Sequence, residues 1–454
     1  MKDRLFLAIF SYFMVINIGT GYSQEGDMAV PEWAKEAVWY QIFPDRFENG
    51  DPNNDPKPMD LKGGWPHFIP ENWQISPWTS DWFKLQPWEE GIEWHRYFDW
   101  AQPGKPNFGA TAGLRRYGGD LQGVIDRLDY LQELGITALY FNPLFESPSN
   151  HKYDATMYHH IDNNFGPNPA KDREIWAEEN PADPQTWQWT TTDLLFLDLV
   201  RECHRRGIRV IIDCVFNHTG NTFWAFQDVV ENQQNSVYKD WYTIKSWDDP
   251  ATPKNEFDYE GWFGVKELPE VREDDRGFVS GPKAHFHAIV KRWMDPNGDG
   301  DPSDGIDGWR LDVSEKVNIL FWEEMRKWVR EINPDAYISG ELWWEDWTKN
   351  KMFNAAPWFE GAFDAVMNYR FARAVKKFVA DQKTQISPQV FVDSLQAIYN
   401  DYHWDNVLVC QNLLGSHDVD RIASQIVNPD RWYDHDAFPS ENNNFSARKP
   451  TELE

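Results

Sequence analysis

The chain has 454 residues, 41% of them hydrophobic, enough for one large core with an inserted subdomain. Its 44 basic and 73 acidic residues leave a net charge of −29, which repels phosphate backbones and excludes nucleic acid as a partner class. An aromatic content of 16% excludes the disorder that acidic composition otherwise signals, and the 26 tryptophans serve either a core or the apolar walls of a cleft.

Lys2 and Arg4 precede an apolar stretch over 5–18, and small or polar residues follow through Ser23. This is the pattern of a secretory signal, residues 1–23, and it predicts a secreted or periplasmic protein. The apolar part is too short to span a membrane, and no later segment reaches spanning length. Strand-length apolar runs then fall at 37–43, 136–141, 208–215, 305–313, 336–341, 363–369 and 406–414. Helical patterns separate them at 121–134, 192–206, 284–294, 317–332 and 370–381. The alternation predicts an α/β fold, a (β/α)8 TIM barrel over 24–218 and 284–454. Long loops at 48–115, 165–191 and 219–283 interrupt it, and the third is long enough for an inserted subdomain. No eighth apolar run follows 418. The chain ends in a helix start at Pro450, so it is expected to be truncated before strand 8 and to lack a C-terminal β-sandwich. Cys203, Cys214 and Cys410 lie in apolar elements without zinc spacing and read as core.

Four runs end in polar residues: Asp213-Cys-Val-Phe-Asn217-His218, Arg310-Leu-Asp312, Glu341-Leu-Trp343 and Ser416-His417-Asp418. The C-terminal ends of barrel strands are where active sites form. Arg310 and Asp312, two apart on a strand, share a face, so the guanidinium is expected to hold Asp312 ionised as a nucleophile. Glu341, in a tryptophan-rich mouth, suits a general acid. A carboxylate pair from neighbouring strands fits retaining chemistry on a glycosidic bond. His417 and Asp418 would bind sugar hydroxyls from one side, Asp213 and His218 from the other.

These four segments resemble the conserved regions of the α-amylase family, glycoside hydrolase family 13. So do the stretches 40–47, 117–123, 150–154 and 364–369, and the wording is closest to the neopullulanase, cyclomaltodextrinase and maltogenic amylase branch. The resemblance implies Asp312 as nucleophile, Glu341 as acid/base and Asp418 as transition-state stabiliser. It implies Tyr153 as an aromatic platform, with Asp213, His218, Arg310 and His417 around the first sugar subsite. Trp343, beside the acid, is a further substrate-binding candidate. The implied function is hydrolysis of α-1,4-glucosidic bonds in maltodextrin, pullulan or cyclodextrin by double displacement. An α-glucan transglycosylase of the same family and an inactive glycan-binding fragment remain alternatives. The chain departs from the branch after Asp312, reading Val-Ser-Glu-Lys316 instead of Val-Ala-Asn-Glu, and at Trp344, so substrate preference and oligomeric state do not carry over.

Two segments are rich in the oxygen ligands that Ca2+ takes. Asn49, Asp51, Asn54 and Asp55 resemble a calcium loop of the branch. Asp295, Asn297, Asp299, Asp301 and Asp304 begin like an EF-hand loop but reach Ile306 where a bidentate Glu belongs.

Overall fold

The computed structural model describes residues 29–81, 84–105 and 107–430, so the expected leader and the final helix start lie outside the described residues. Six strands form one parallel sheet in chain order: β1 Trp39–Ile42, β2 Ala138–Phe141, β3 Arg209–Cys214, β4 Gly308–Leu311, β5 Tyr337–Gly340 and β6 Ala365–Val366. Val210, Ile211 and Ile212 on β3 are all fully buried, since a barrel strand is covered on both faces and needs apolar side chains on each. The register sets Asp213 opposite Arg310 and Arg310 opposite Ser339, which aligns the polar ends of β3, β4 and β5 at one mouth. Gly308 opens β4 where nothing larger fits: a Cβ there would meet the Tyr337 carbonyl oxygen at 1.9 Å.

Helices return the chain between strands, as in a β/α barrel. Thr191–Arg205 shows why they form. Thr190 and Asp193 make a reciprocal capping box at its start, and Gly207, at φ +72°, follows its end. Phe196, Leu199, Val200 and Cys203 recur at helical spacing and are fully buried. Each such side chain contributes about 1.5–3 kcal/mol. A charge at Val200 would break the face.

The seventh expected strand, 406–414, is a correction. Trp404–Val409 is helical, and the chain rejoins the sheet at Gln411 through a parallel bridge to Met367. The short apolar run 407–410 carries no periodicity that separates strand from helix. Asp405 in the first turn favours the helix, and Asn406 Nδ2 fixes it by donating to the Asp364 carbonyl at 2.8 Å.

The long loops are organised. Residues 48–115 enclose their own apolar cluster of Leu61, Trp73, Trp88, Trp94, Ala110 and Leu114, with a buried Arg115–Glu89 pair at 2.5 Å. Part of the tryptophan excess is core: Trp94, Trp293, Trp309 and Trp322 are among the largest fully buried side chains. The loop 165–191 contains the helix Pro169–Trp176, and 219–283 holds the helix Trp224–Asn232 with two small antiparallel ladders. The three cysteines are buried free thiols. No described helix is long and apolar enough to cross a membrane.

Candidate active site

The site is built around Arg310, which is fully buried in β4. Its Nη1 lies 3.0 Å from both Asp213 oxygens and 2.7 Å from Asp312 Oδ1, and its Nη2 lies 3.1 Å from Glu341 Oε1. Its Nε and Nη2 rest on Met367 Sδ at 3.3 Å. One guanidinium thus gathers carboxyl groups from the ends of three strands.

Arg310 holds Asp312 as expected, but it does not serve Asp312 alone. Burial raises the Asp312 carboxyl well above the ordinary carboxylate range, and the nearby Glu341 and Asp213 add to the rise. Arg310 pulls the other way but is divided among three acids. Asp213 is raised too, chiefly by burial. Three acids against one fixed cation leave the pocket short of positive charge.

Glu341 is held on both oxygens. The Tyr369 hydroxyl donates to Oε1 at 3.1 Å, and the Val313 backbone N–H donates to Oε2 at 3.0 Å. Val313 sits at φ +48°, ψ +39°, a left-handed conformation that a β-branched residue rarely adopts. Such a residue costs on the order of 1–3 kcal/mol and persists only where its surroundings impose it. Here the turn aims its N–H at Glu341. Trp343 stacks on the Tyr369 ring, 4.2 Å between centroids and 11° between planes, which fixes the hydroxyl.

A second chain of bonds runs from Asp213 to Asp418. Tyr140 and Tyr153 donate to Asp213 Oδ2 at 2.7 and 2.9 Å. Gln41 Nε2 donates to His417 Nδ1 at 2.9 Å, leaving His417 Nε2–H to face the Tyr153 oxygen at 2.6 Å and Asp418 Oδ1 at 3.2 Å. Burial holds the His417 pKa well below its ordinary value, with Arg310 assisting, so the ring is neutral. His218 is also neutral, pushed down to about 3 by burial. Its Nδ1 meets Asn217 Nδ2 at 3.1 Å, and its ring also faces the Tyr153 backbone.

The structure therefore links Asp213, Arg310, Asp312, Glu341, Tyr153, His417 and Asp418 through direct contacts, with Trp343 joined through Tyr369 and His218 against the Tyr153 backbone. Asp213 is fully buried and engaged by Arg310 and two tyrosines, so it positions these groups. The sequence assigned no role to Tyr140 or the Val313 N–H, nor to Gln41, Met367 and Tyr369, although these three lie in the family-like stretches 40–47 and 364–369. Tyr140 and Met367 look like strand core, and a backbone donor leaves no residue-type signal at all.

The two metal segments differ. In the first, Asn49 Oδ1 and Asn54 Oδ1 are buried without partners, as is Asp45 Oδ2 beside them. Asp45 and Asn49 line a cavity of about 130 Å³. Burial raises the Asp55 carboxyl, and Asp120, Asp45 and Asp51 add like charge. Gly118, at φ +78°, closes the loop, since a Cβ there would meet Asp55 Oδ1 at 2.4 Å. Orphaned oxygens and crowded acids are the donor chemistry of a calcium site, so these residues fit one. Asp51 Oδ1 itself accepts from Asn53. In the second segment Asn297, Asp299 and Asp301 each cap the turn two residues on, while Asp295 Oδ1 and Asp304 Oδ1 lack partners. Its side-chain oxygens are thus largely spent as turn caps on an exposed loop, so the fit is poorer.

The Alpha amylase catalytic-domain family matches residues 41–175 and 188–437. The chain belongs to the α-amylase family. Within it, the chain is 38% identical over 396 residues to Neopullulanase 2 of Thermoactinomyces vulgaris, covering 87% of this chain and 52% of that protein. It is 35% identical over 396 residues to a cyclomaltodextrinase of Geobacillus thermopakistaniensis, covering 87% and 51%. The solved cyclic α-maltosyl-(1→6)-maltose hydrolase of Arthrobacter globiformis, in complex with maltose, superposes with a TM-score of 0.62 at 30% identity, covering 87% of this chain and 69% of that one. The α-amylase family fold agrees with the parallel sheet and the strand-end site. The chain spans about half the length of the curated relatives it matches.

Proposed function

We propose that this chain is the catalytic part of an exported retaining glycosidase that cleaves α-1,4 bonds in starch-type glucans. The observation that carries this reading is the single guanidinium shared by Asp213, Asp312 and Glu341 at the strand ends. Asp312 attacks the anomeric carbon, and Glu341, as general acid, protonates the leaving oxygen as its bond to that carbon breaks. Water then attacks the glycosyl-enzyme, with Glu341 as base. The transition state places positive charge on the sugar. A pocket short of one cation binds that charge better than it binds the neutral substrate. Asp418, His417 and His218 hold sugar hydroxyls, and Tyr153 supports the ring.

The test is the product profile of the complete gene product on starch, pullulan and β-cyclodextrin, with the anomer followed by NMR. An initial α-anomer is expected. An initial β-anomer would remove the double displacement. Transfer is a second reading, because Trp343 and its neighbour Trp344 form an aromatic wall beside Glu341, 6.1 Å between rings. Products longer than substrate at high maltotriose would favour it.

Calcium at Asn49, Asn54 and Asp55 would stiffen the 48–115 loop without taking part in the chemistry. At least one equivalent should survive a chelator wash and recalcification; less discards both calcium segments. Export predicts that mature protein begins at Gln24, which N-terminal sequencing checks.

A further inference from the structure

Away from the mouth, the loop 165–191 folds back onto the barrel wall at an adjacent pair of histidines. His159 and His160 are buried, and the Glu179 side chain is 1% exposed between them and the loop. Glu179 Oε2 lies 2.8 Å from His160 Nε2 and 3.6 Å from His159 Nε2, and one donor atom from each residue falls within 4.8 Å of the others.

We propose that His159, His160 and Glu179 bind a divalent transition ion of the zinc class, which pins the loop to the start of the helix Thr191–Arg205. Three features carry this. The first is an orienting carboxylate. Asp193 Oδ2 takes His160 Nδ1 at 2.7 Å, and Asp193 is itself fixed by the Ile161 N–H at 2.8 Å and by Arg292 at 3.3 Å. A carboxylate on the far nitrogen of an imidazole is the usual support of a metal-bound histidine.

The second is charge. Glu179 and Asp193 face one fixed cation, Arg292, and both His160 nitrogens point at carboxylate oxygens. One more positive charge belongs between His160 Nε2 and Glu179 Oε2. A second ring proton or a metal ion can supply it.

The third decides between these. His159 Nε2 is turned toward Glu179 at a separation too long for a hydrogen bond, and its buried Nδ1 has no partner. A proton on His160 leaves His159 unsatisfied, whereas a metal takes it as third ligand. Tetrahedral zinc with two nitrogens and one oxygen sets its donors roughly 3.3 Å apart, a value between the two separations from Glu179 Oε2, and leaves a fourth position for water. The His159 ring already stacks on Trp187, 4.5 Å away and 12° from parallel, which restricts its rotation.

The test uses untagged full-length protein, stripped by chelator and dialysed against micromolar Zn2+ or Co2+, with Co2+ visible absorption as a second readout. One retained equivalent with a tetrahedral Co2+ spectrum is expected. Calcium in excess should not displace it. His159→Phe keeps the stack on Trp187 and leaves the Asp193–His160–Glu179 bonds intact, and it should weaken binding at least tenfold. Glu179→Gln should do the same, and Asn49→Ala should not. No retained equivalent in the parent protein would overturn the proposal and leave a proton as the bridging charge. So would retention that His159→Phe leaves unchanged while the variant unfolds cooperatively.

Discussion

The two ends of the barrel use the same residue types in opposite ratios. At the mouth, Arg310 serves Asp213, Asp312 and Glu341. At the start of β6, on the opposite side of the sheet, Asp364 serves two cations, Arg326 at 2.8 Å and Arg330 at 2.7 Å, and accepts the Ile338 N–H at 2.9 Å. Asp307, just before β4, is similarly saturated by His204, Arg209 and the Val210 N–H. The floor clusters are satisfied and hold strands together. The mouth cluster is left short of charge, which is a cost in stability and the condition for its chemistry.

That contrast is sharpest in a pair of variants. Asp312→Asn should lower kcat by roughly 10⁴-fold or more. It removes an acid from a crowded pocket, so its thermal midpoint should hold or rise; a large fall would erase the distinction. Asp364→Asn should behave in the reverse way. It removes the charge that buried Arg326 and half-buried Arg330 share and should cost about 3–5 kcal/mol in denaturant unfolding, with activity per folded molecule retained. An Asp364→Asn protein of unchanged stability would break the comparison from the other side.

Tyr369→Phe keeps the stack on Trp343 and deletes one bond to Glu341. A fall of about three- to tenfold in kcat/KM is expected, the worth of one hydrogen bond. The smallest effect concerns Glu315, whose carboxyl is pushed up to about 8 by burial and by Glu341. Unfolded chain releases that proton near the ordinary 4.5, folded chain near 8. Between these values the unfolded state binds fewer protons, so stability declines as pH rises. Glu315→Gln should flatten that decline in a thermal midpoint series. An unaltered slope would show that Glu315 does not share the excess of acid at the mouth.

Much of this site was legible in the sequence because strand geometry is simple. A period of two put Arg310 and Asp312 on one face, and apolar runs ending in acids placed Asp213 and Glu341 at the same rim. The roles of Tyr140, Met367 and Gln41 were not legible, although the latter two lie in family-like stretches, because residues of those types inside a strand look like packing until their neighbours across the sheet are known. The run 406–414 was misread for want of periodicity. The helix Pro388–Asp401, absent from the expected elements, carries its own signals: Ser387 as cap and Pro388 at the first turn. The charge shortage at the mouth could not be read from motifs, since it depends on how many acids share one cation in space.

The left-handed turn at Val313 has a practical consequence for mutagenesis. The donor it presents to Glu341 belongs to the main chain, so alanine scanning would report the position as dispensable while leaving the contact in place. Removing it calls for an ester in the backbone, or for a proline that the local φ forbids. Surveys by side-chain replacement will therefore undercount the groups that steady the acid, and one of them is written in conformation instead of residue identity.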